Sequence, residues 1–131
     1  MLLTRESDYA VRIVRALKNG EKQPVKNICA EEDIPEPFTY KILKKLEKAG
    51  IVKAIRGAQG GYYLSRKINE LTLEDIVMAI DSDLAITQCT TKNCECIRNE
   101  ILAPCTVHNE LQRIQEILIK ELKSKTLAEI L

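Results

Sequence analysis

The chain contains few aromatic residues and no hydrophobic stretch as long as a membrane span. Aromatic residues make up 4% of the 131 residues, and tryptophan is absent, which argues against a platform that stacks the bases of single strands. No stretch approaches the roughly 18 consecutive apolar residues that cross a bilayer. Charges in the opening MLLTRESDYAVR stand where a secretory signal needs an apolar segment. We therefore expect a cytoplasmic protein without membrane contact.

A disulfide framework is not expected, although the chain has five cysteines. The number is odd and no export signal accompanies it, so metal ligands or redox thiols explain these residues better. The length corresponds to about one domain, and a hydrophobic content of 45% is enough to form a core. A multidomain enzyme is therefore not expected.

The net charge of +1 conceals an uneven distribution of charge along the chain. Residues 1–67 contain 14 basic and 8 acidic side chains, a net charge of +6. Residues 68–131 contain 6 basic and 11 acidic side chains, a net charge of −5. This asymmetry indicates that the first half contacts a polyanion while the second half has another task. The alternative is chance clustering on a solvated surface.

Apolar residues at helical spacing predict three helices in the first half of the chain. The first carries its apolar stripe from Tyr9 to Leu17. A short second helix contains residues 25–29, and the prolines that follow interrupt it. The third runs from Pro37, well placed at a helix start, to Gly50, which favours a C-terminal cap.

A glycine-rich turn separates two short β-prone stretches after the third helix. Residues 51–55 and 62–64 flank residues 56–61, whose glycines accommodate the positive φ of a hairpin tip. The order helix, turn, helix, hairpin is that of a winged helix-turn-helix, whose second helix of the pair enters the major groove of double-stranded DNA. The sequence therefore predicts a mostly α fold with one small β-hairpin.

The exposed face of the predicted third helix is rich in lysine and forms a candidate DNA interface. Its members are Thr39, Tyr40, Lys41, Lys44, Lys45 and Lys48. Lysines near phosphates provide affinity, whereas Thr39 and Tyr40 in the first turn are placed to reach base edges. Arg56 at the base of the hairpin is a candidate for a narrow minor groove, where the negative potential is deepest. The alternative is an ordinary solvated lysine face.

Two further helices are predicted in the second half, with a cysteine-bearing segment between them. Thr72 and Asp75 cap a helix that ends near Asp81. Residues 83–104 are weakly periodic, and we expect a loop with up to one helical turn. From Cys105 onward, an apolar stripe continues for about five turns at 3.6 residues each. A small domain leaves part of so long a stripe uncovered, so this helix is expected to pack against a partner helix.

Four cysteines and the only histidine of the chain fall within 20 residues: Cys89, Cys94, Cys96, Cys105 and His108. Thiolates select zinc, copper(I) or iron–sulfur clusters, and an imidazole can replace a thiolate on iron. Cys105 and His108 are three residues apart, so both can face one site. Structural zinc bound by three thiolates and His108 also fits this set, and so do thiols that bind no metal.

An activated cysteine nucleophile is a third interpretation of Cys105 and His108. No third orienting group stands at a recognisable spacing, no phosphate-binding loop is present, and little chain remains to build a cleft. We therefore do not expect an enzyme. Cys29 lies on the apolar stripe of the second helix and is expected in the core.

Several stretches together resemble the IscR/NsrR-type winged-helix regulators, and the resemblance covers essentially the whole chain. They are LTRESDYAVR, KKLEKAGIVKAIRGAQGGYYLSR, LTLEDIVMAI, the Cys105-Thr-Val-His108 start of the last long helix, and the ending TLAEIL. The resemblance implies a homodimeric transcription regulator, expected to act as a repressor, that binds palindromic promoter DNA. In many members each subunit holds one iron–sulfur cluster in the loop before a long dimerisation helix.

The same resemblance implies the cluster ligands. Three family cysteines fall on Cys89, Cys96 and Cys105, although the spacing differs from the expected five-residue gaps and Cys94 could replace Cys96. IscR-like members use a histidine at the position of His108 and hold a [2Fe-2S] cluster, which we favour. NsrR-like members take an aspartate from the partner subunit, at the position of Asp8, and hold [4Fe-4S]. A purified sample without the cluster is also expected to occur.

The resemblance also locates the DNA-reading positions and divides the chain. The base-reading positions fall on Pro37 to Lys44, including Tyr40, and the minor-groove arginine falls on Arg56. We expect a DNA-binding domain in residues 1–67, a linking helix and cluster loop in residues 68–104, and a dimerisation helix with a C-terminal helical turn in residues 105–131. The alternative function is a clusterless repressor of sulfur or cysteine metabolism, controlled by a partner protein or a thiol metabolite.

Overall fold

A computed structural model describes residues 3–98 and 104–131, in which helices surround one two-stranded sheet. We number the elements α1 to α6 and β1 to β2 in chain order. Their bounds are α1 Arg5–Ala16, α2 Val25–Glu32, α3 Glu36–Lys48, β1 Val52–Ile55, β2 Gly61–Leu64, α4 Leu73–Ile80, a short 3-10 helix Gln88–Thr90, α5 Thr106–Lys123 and α6 Leu127–Ile130. The mostly helical fold with a small hairpin is confirmed. Part of the predicted cysteine loop, residues 99–103, lies outside the described residues.

The first three helices form the predicted helix-turn-helix around a shared core. Thr4 caps α1 because its hydroxyl accepts the backbone N–H of Ser7. Apolar side chains of α1, α2 and α3 are fully buried against one another: Ala10, Ile13, Val14, Ile28, Ile42, Leu43 and Leu46. Cys29 is half-buried and packs against this cluster, which confirms its predicted place at the core.

An ion pair fixes α2 against α1. Glu32 lies at the end of α2 and is buried, and both of its carboxylate oxygens accept hydrogen bonds from the Arg15 guanidinium. The pKa of Arg15 is raised, because Glu32 accepts hydrogen bonds from its charged form. Asp33 then adopts a left-handed conformation with φ of 52°, which reverses the chain direction before α3.

The hairpin is antiparallel and is joined to the turn before α2. Its register pairs Val52 with Leu64 and Ile55 with Gly61. The backbone of Gln23 forms two hydrogen bonds with that of Tyr62, each 2.9 Å long, so the hairpin is anchored to the helical core. Gly61 permits this approach, since a Cβ there would lie 2.3 Å from the Gln23 carbonyl oxygen.

The C-terminal half packs back onto the same core. Thr72 and Asp75 form the predicted capping box of α4, whose Ile76 is fully buried. Leu127 at the start of α6 is 1% exposed, and its N–H donates to the Leu71 carbonyl at 2.7 Å. The three predicted segments of the chain therefore share one hydrophobic core.

Only part of the apolar surface of helix α5 is buried. Ile119 and Leu122 pack with Val77 of α4 and Leu84 in a small second cluster. Another set of large apolar side chains remains exposed on α5, and we call it the α5 stripe: Val107, Ile114, Ile117 and Leu118. In residues 3–98 and 104–131, every helix is too short or too polar to cross a bilayer.

Candidate functional site

A cleft lies between α3 and the hairpin, where a winged helix-turn-helix meets DNA. Its volume is about 580 Å³, and its lining includes Lys26, Tyr40, Lys44 and Arg56. All four side chains are exposed. The structure therefore brings together three residues of the predicted interface, one from the second turn of α3, one from its third turn and one from the hairpin.

Thr39 does not belong to this surface, and the prediction that it lies on the exposed face of α3 is wrong. Its side chain is 0% exposed. The hydroxyl donates to the Pro35 carbonyl at 3.2 Å and accepts from the Cys29 thiol at 3.3 Å. The helical register explains the difference, because Thr39 stands three and four residues before Ile42 and Leu43 on the buried side. Thr39 stabilises the turn between α2 and α3 and is removed from the candidate base-reading residues.

The lysines of α3 fall into two groups that sequence spacing did not separate. Lys44 and Lys48 are exposed. Lys41 is also exposed, but it and Lys45 contact the two carboxylate oxygens of Glu6 on α1, and the Lys45 Nζ atom lies 2.6 Å from Oε2. Hydrogen bonds from these two lysines hold the pKa of Glu6 below its ordinary value. Glu6 is therefore ionised at neutral pH, and it shares its charge between both ammonium groups.

Two further residues of the cleft, Lys26 and Tyr62, were not identified from the sequence. Lys26 lies in the first turn of α2, outside its apolar stripe, and Tyr62 lies on β2. Burial raises the pKa of the Tyr62 hydroxyl, and the negative charge of Glu47 acts in the same direction. The hydroxyl therefore remains protonated at neutral pH and can donate a hydrogen bond to a phosphate. Period-two alternation on β2 was the signal that could have indicated Tyr62.

The hairpin that presents Arg56 is held by contacts outside the hairpin itself. The Lys22 ammonium donates to the Gln59 carbonyl at the hairpin tip. Gly57 adopts a φ of +116° in the same turn, a conformation that a residue with a side chain rarely takes. Together with the anchoring of Tyr62 by Gln23, these contacts fix the base and tip of the hairpin.

The described part of the cysteine segment, residues 83–98 and 104, is hydrogen-bonded to α5 through the Gln115 side chain, in addition to the packing of Leu84 near Ile119 and Leu122. Gln115 Oε1 accepts the N–H of Ile86 at 3.0 Å, and Gln115 Nε2 donates to the Thr90 carbonyl at 3.4 Å. Cys89 lies between these two contacts and is half-buried, with its Sγ 3.2 Å from the Thr87 hydroxyl. Cys94 and Cys96 follow on the same segment and are also half-buried.

The remaining candidate ligands lie at the start of α5 and on α1. Cys105 precedes the first residue of α5 and His108 lies in its first turn, and both are half-buried. Asp8 lies on α1, where both of its oxygens contact the Arg12 guanidinium, at 3.2 Å and 3.0 Å. Asp8 also borders a largely apolar groove of about 280 Å³ between α1, α4 and Leu122 of α5.

The cysteines and the histidine fit an iron–sulfur cluster in their chemistry, because thiolates and imidazole are its usual protein ligands. Their arrangement does not yet form such a site. In residues 3–98 and 104–131, no three side chains of histidine, cysteine, aspartate or glutamate lie close enough together to hold a metal ion.

Comparison with known proteins identifies relatives along the whole chain. HTH-type transcriptional regulator NsrR of Geobacillus kaustophilus is 30% identical over 135 residues, which cover 100% of this chain and 90% of that protein. Protein Rrf2 of Nitratidesulfovibrio vulgaris is 29% identical over 134 residues, which cover 100% of this chain and 87% of that protein. Protein aau3 of Rhizobium meliloti is 37% identical over 91 residues, which cover 68% of this chain but only 59% of that protein.

Solved structures share the fold. CymR (YrzC), the global cysteine regulator of B. subtilis, gives a TM-score of 0.74 at 22% identity, over 99% of this chain and 95% of that one. IscR of T. potens gives a TM-score of 0.77 at 22% identity, over 99% of this chain and 85% of that one. The predicted winged-helix architecture is thereby confirmed.

Residues 3–131 match the Rrf2 family model, which is described as an iron-dependent transcriptional regulator. This match, together with the relatives NsrR and Rrf2, confirms the resemblance to IscR/NsrR-type regulators. The chain belongs to the Rrf2 family of transcriptional regulators.

Proposed function

We propose that this chain is a homodimeric regulator that binds palindromic promoter DNA and whose DNA affinity depends on an iron–sulfur cluster in the cysteine segment. Regulators of the Rrf2 family bind DNA and are typically dimeric. The observation that carries the proposal is the cleft between α3 and the hairpin, because it places Tyr40, Lys44 and Arg56 on one exposed surface. Side chains of these types contact phosphates and base edges in DNA-binding proteins.

Exposed residues of α3 and the hairpin have separate tasks in DNA binding. Lys44 and Lys48 neutralise phosphates from the exposed face of α3, and Tyr40 reaches base edges from its second turn. Arg56 enters the minor groove from the hairpin. In a symmetric dimer the two half-sites lie about 10 base pairs apart or at a multiple of that spacing.

The α5 stripe supports the homodimer. Val107 is 65% exposed and Ile117 is 47% exposed, and apolar side chains of that size gain free energy when a second copy covers them. Contiguous exposed apolar surface of this kind marks an interaction site more often than an ordinary solvated face. Because the stripe runs along a helix of 18 residues, the partner best suited to it is the same helix of a second subunit.

The cluster would be held by Cys89, Cys96, Cys105 and His108, with Cys94 and Asp8 as alternative ligands. A bound [2Fe-2S] cluster, or a [4Fe-4S] cluster in the alternative, supplies a centre that is sensitive to iron supply, redox state or nitric oxide. The chain supplies the connection to DNA, since α4 ends directly before the cysteine segment and packs against α1 and α3. Couplings of this type are typically about 1–3 kcal/mol, or roughly 5- to 150-fold in DNA affinity.

Anaerobic purification followed by iron, sulfide and zinc analysis tests the cluster. We expect visible absorption and roughly stoichiometric iron and sulfide, as iron–sulfur proteins show. An operator selected from a random pool of duplexes then provides the DNA for binding assays with and without the cluster. Equal operator affinity in the two forms would reject control by the cluster, whereas failure of both forms to bind any duplex would reject the regulator itself.

A clusterless regulator of sulfur or cysteine metabolism is the second candidate. It is favoured by the likeness of the fold to that of CymR, the global cysteine regulator of B. subtilis, which extends over 99% of this chain. For this candidate, we expect a colourless, metal-free protein that binds the selected operator, and whose affinity changes with a thiol metabolite or a partner protein.

A further inference from the structure

Glu6 connects the first helix of the module to two lysines of the helix that faces DNA. Its two carboxylate oxygens contact the ammonium groups of Lys41 and Lys45, one oxygen to each lysine. The side chain of Glu6 is partly shielded from solvent, with 28% of its surface exposed, and that of Lys45 is exposed to a similar degree. The carboxylate therefore sits between two positive charges close to the proposed DNA surface.

The two lysines lie on or beside the face of α3 that is proposed to meet phosphates. Lys41, Lys44 and Lys48 are spaced by three and four residues, so they share one side of the helix. Lys45 lies at the edge of that side, where its Nζ atom is also 3.5 Å from the Ile80 carbonyl of α4. Glu6 thus competes with phosphate for one ammonium group of the proposed DNA face and for a second at its edge.

We propose that Glu6 is a specificity-determining residue that limits binding to non-operator DNA by pairing with Lys41 and Lys45 and offsetting one of their two positive charges. The inference rests on the proposed DNA-binding function and adds a residue that lies outside the cleft. Affinity for non-operator DNA comes almost entirely from phosphate neutralisation, because counterions are released when lysines replace them. A carboxylate that pairs with two lysines therefore lowers mainly the affinity for non-operator DNA. Operator binding also uses base and minor-groove contacts, so it depends less on those two charges.

The salt dependence of binding measures this effect directly. Each phosphate that is neutralised on duplex DNA contributes about −0.9 to the slope of log K against log salt concentration. Release of Lys41 and Lys45 in Glu6→Gln should therefore steepen the slope for a random-sequence duplex by about 1 to 2 per bound module. We expect a larger gain in affinity for the random duplex than for the selected operator, so the ratio of the two affinities falls.

Glu31→Gln is the matched control, because Glu31 is an exposed carboxylate of α2 in the same module. It removes the same long-range charge, and we expect a slope close to that of the unmodified protein. Glu6→Ala repeats the test without an amide and should give the slope of Glu6→Gln. In protein that already carries Lys41→Gln and Lys45→Gln, replacement of Glu6 should leave the slope unchanged.

A purely structural role for Glu6 gives a different result. The melting temperature would fall in Glu6→Gln and Glu6→Ala while the slope for the random duplex stayed equal to that of Glu31→Gln, and this outcome overturns the inference. An equal steepening in Glu6→Gln and Glu31→Gln also overturns it, because long-range charge would then be sufficient. If the unmodified dimer fails to bind any duplex, the proposed function fails instead, and the two failures remain distinguishable.

Discussion

Replacement of Ile117 by glutamate should separate the proposed dimer into monomers. Ile117 belongs to the α5 stripe and is 47% exposed. Complete burial of an isoleucine side chain is worth about 1.5–3 kcal/mol, so covering the exposed half contributes about 0.7–1.4 kcal/mol per copy. A symmetric dimer contains the contact twice, which gives about 1.4–2.8 kcal/mol, or roughly 10- to 100-fold in the dissociation constant. A carboxylate in the interface adds a desolvation cost to this loss.

Sedimentation equilibrium measures the dimer dissociation constant of Ile117→Glu and of a control, Gln112→Glu. Gln112 is an exposed residue of the same helix, outside the α5 stripe, so the control adds the same charge to α5 without removing the apolar contact. We expect the dissociation constant of Ile117→Glu to exceed that of the control at least tenfold, with unchanged helix content. Equal constants for the two variants would show that the stripe is not the dimer contact.

Three further predictions follow from individual contacts. Arg56→Ala should weaken operator binding without changing metal content, which gel-shift titration and iron analysis check; unchanged affinity at fixed salt would remove the hairpin from the interface. Thr39→Val removes the hydrogen bond to the Pro35 carbonyl and should lower the free energy of unfolding by about 0.5–1.5 kcal/mol in denaturant titrations, while the affinity of the folded protein for the operator stays constant. Gln115→Leu leaves the Ile86 N–H without its acceptor, and hydrogen exchange at that amide should accelerate; unchanged protection would show that Gln115 does not hold the cysteine segment.

The positions of the helices were predictable because local signals and burial agree. Apolar residues from Tyr9 to Leu17 predicted α1, and the structure buries Ile13 and Leu17 almost completely. Gly50 was predicted to end the third helix, and it adopts a φ of +74° one residue beyond the Ala49 cap. Thr72 was predicted to cap α4, and its hydroxyl accepts the backbone N–H of Asp75. The first turn of a helix leaves such N–H groups without a partner in the helix.

The candidate DNA interface was predictable only in part, because periodicity locates a face and not the partners of each side chain. Thr39 is polar and stands in the first turn of α3, yet it is buried, because its hydroxyl donates a hydrogen bond to the Pro35 carbonyl. Glu6 and Lys45 are 39 residues apart in the chain, so no local pattern predicts that they meet. Lys26 approaches the hairpin only after α2 has packed, and that contact depends on tertiary structure as well.

The two proposed functions require different behaviour from the same cysteine segment. Cys105 and His108 are fixed at the start of α5, and Cys89 is held beside the two contacts of Gln115. Cys94 and Cys96 lie beyond that attachment, on a stretch whose backbone is linked to Asp83 through the N–H of residue 92, at 3.2 Å. A cluster would need thiolates of this stretch to gather with Cys105 and His108 at one centre. A regulator that responds to a thiol metabolite or to a partner protein needs no such gathering. Control by a cluster therefore predicts that metal binding brings thiols of this stretch together with Cys105 and His108, whereas the second function predicts no such response to metal.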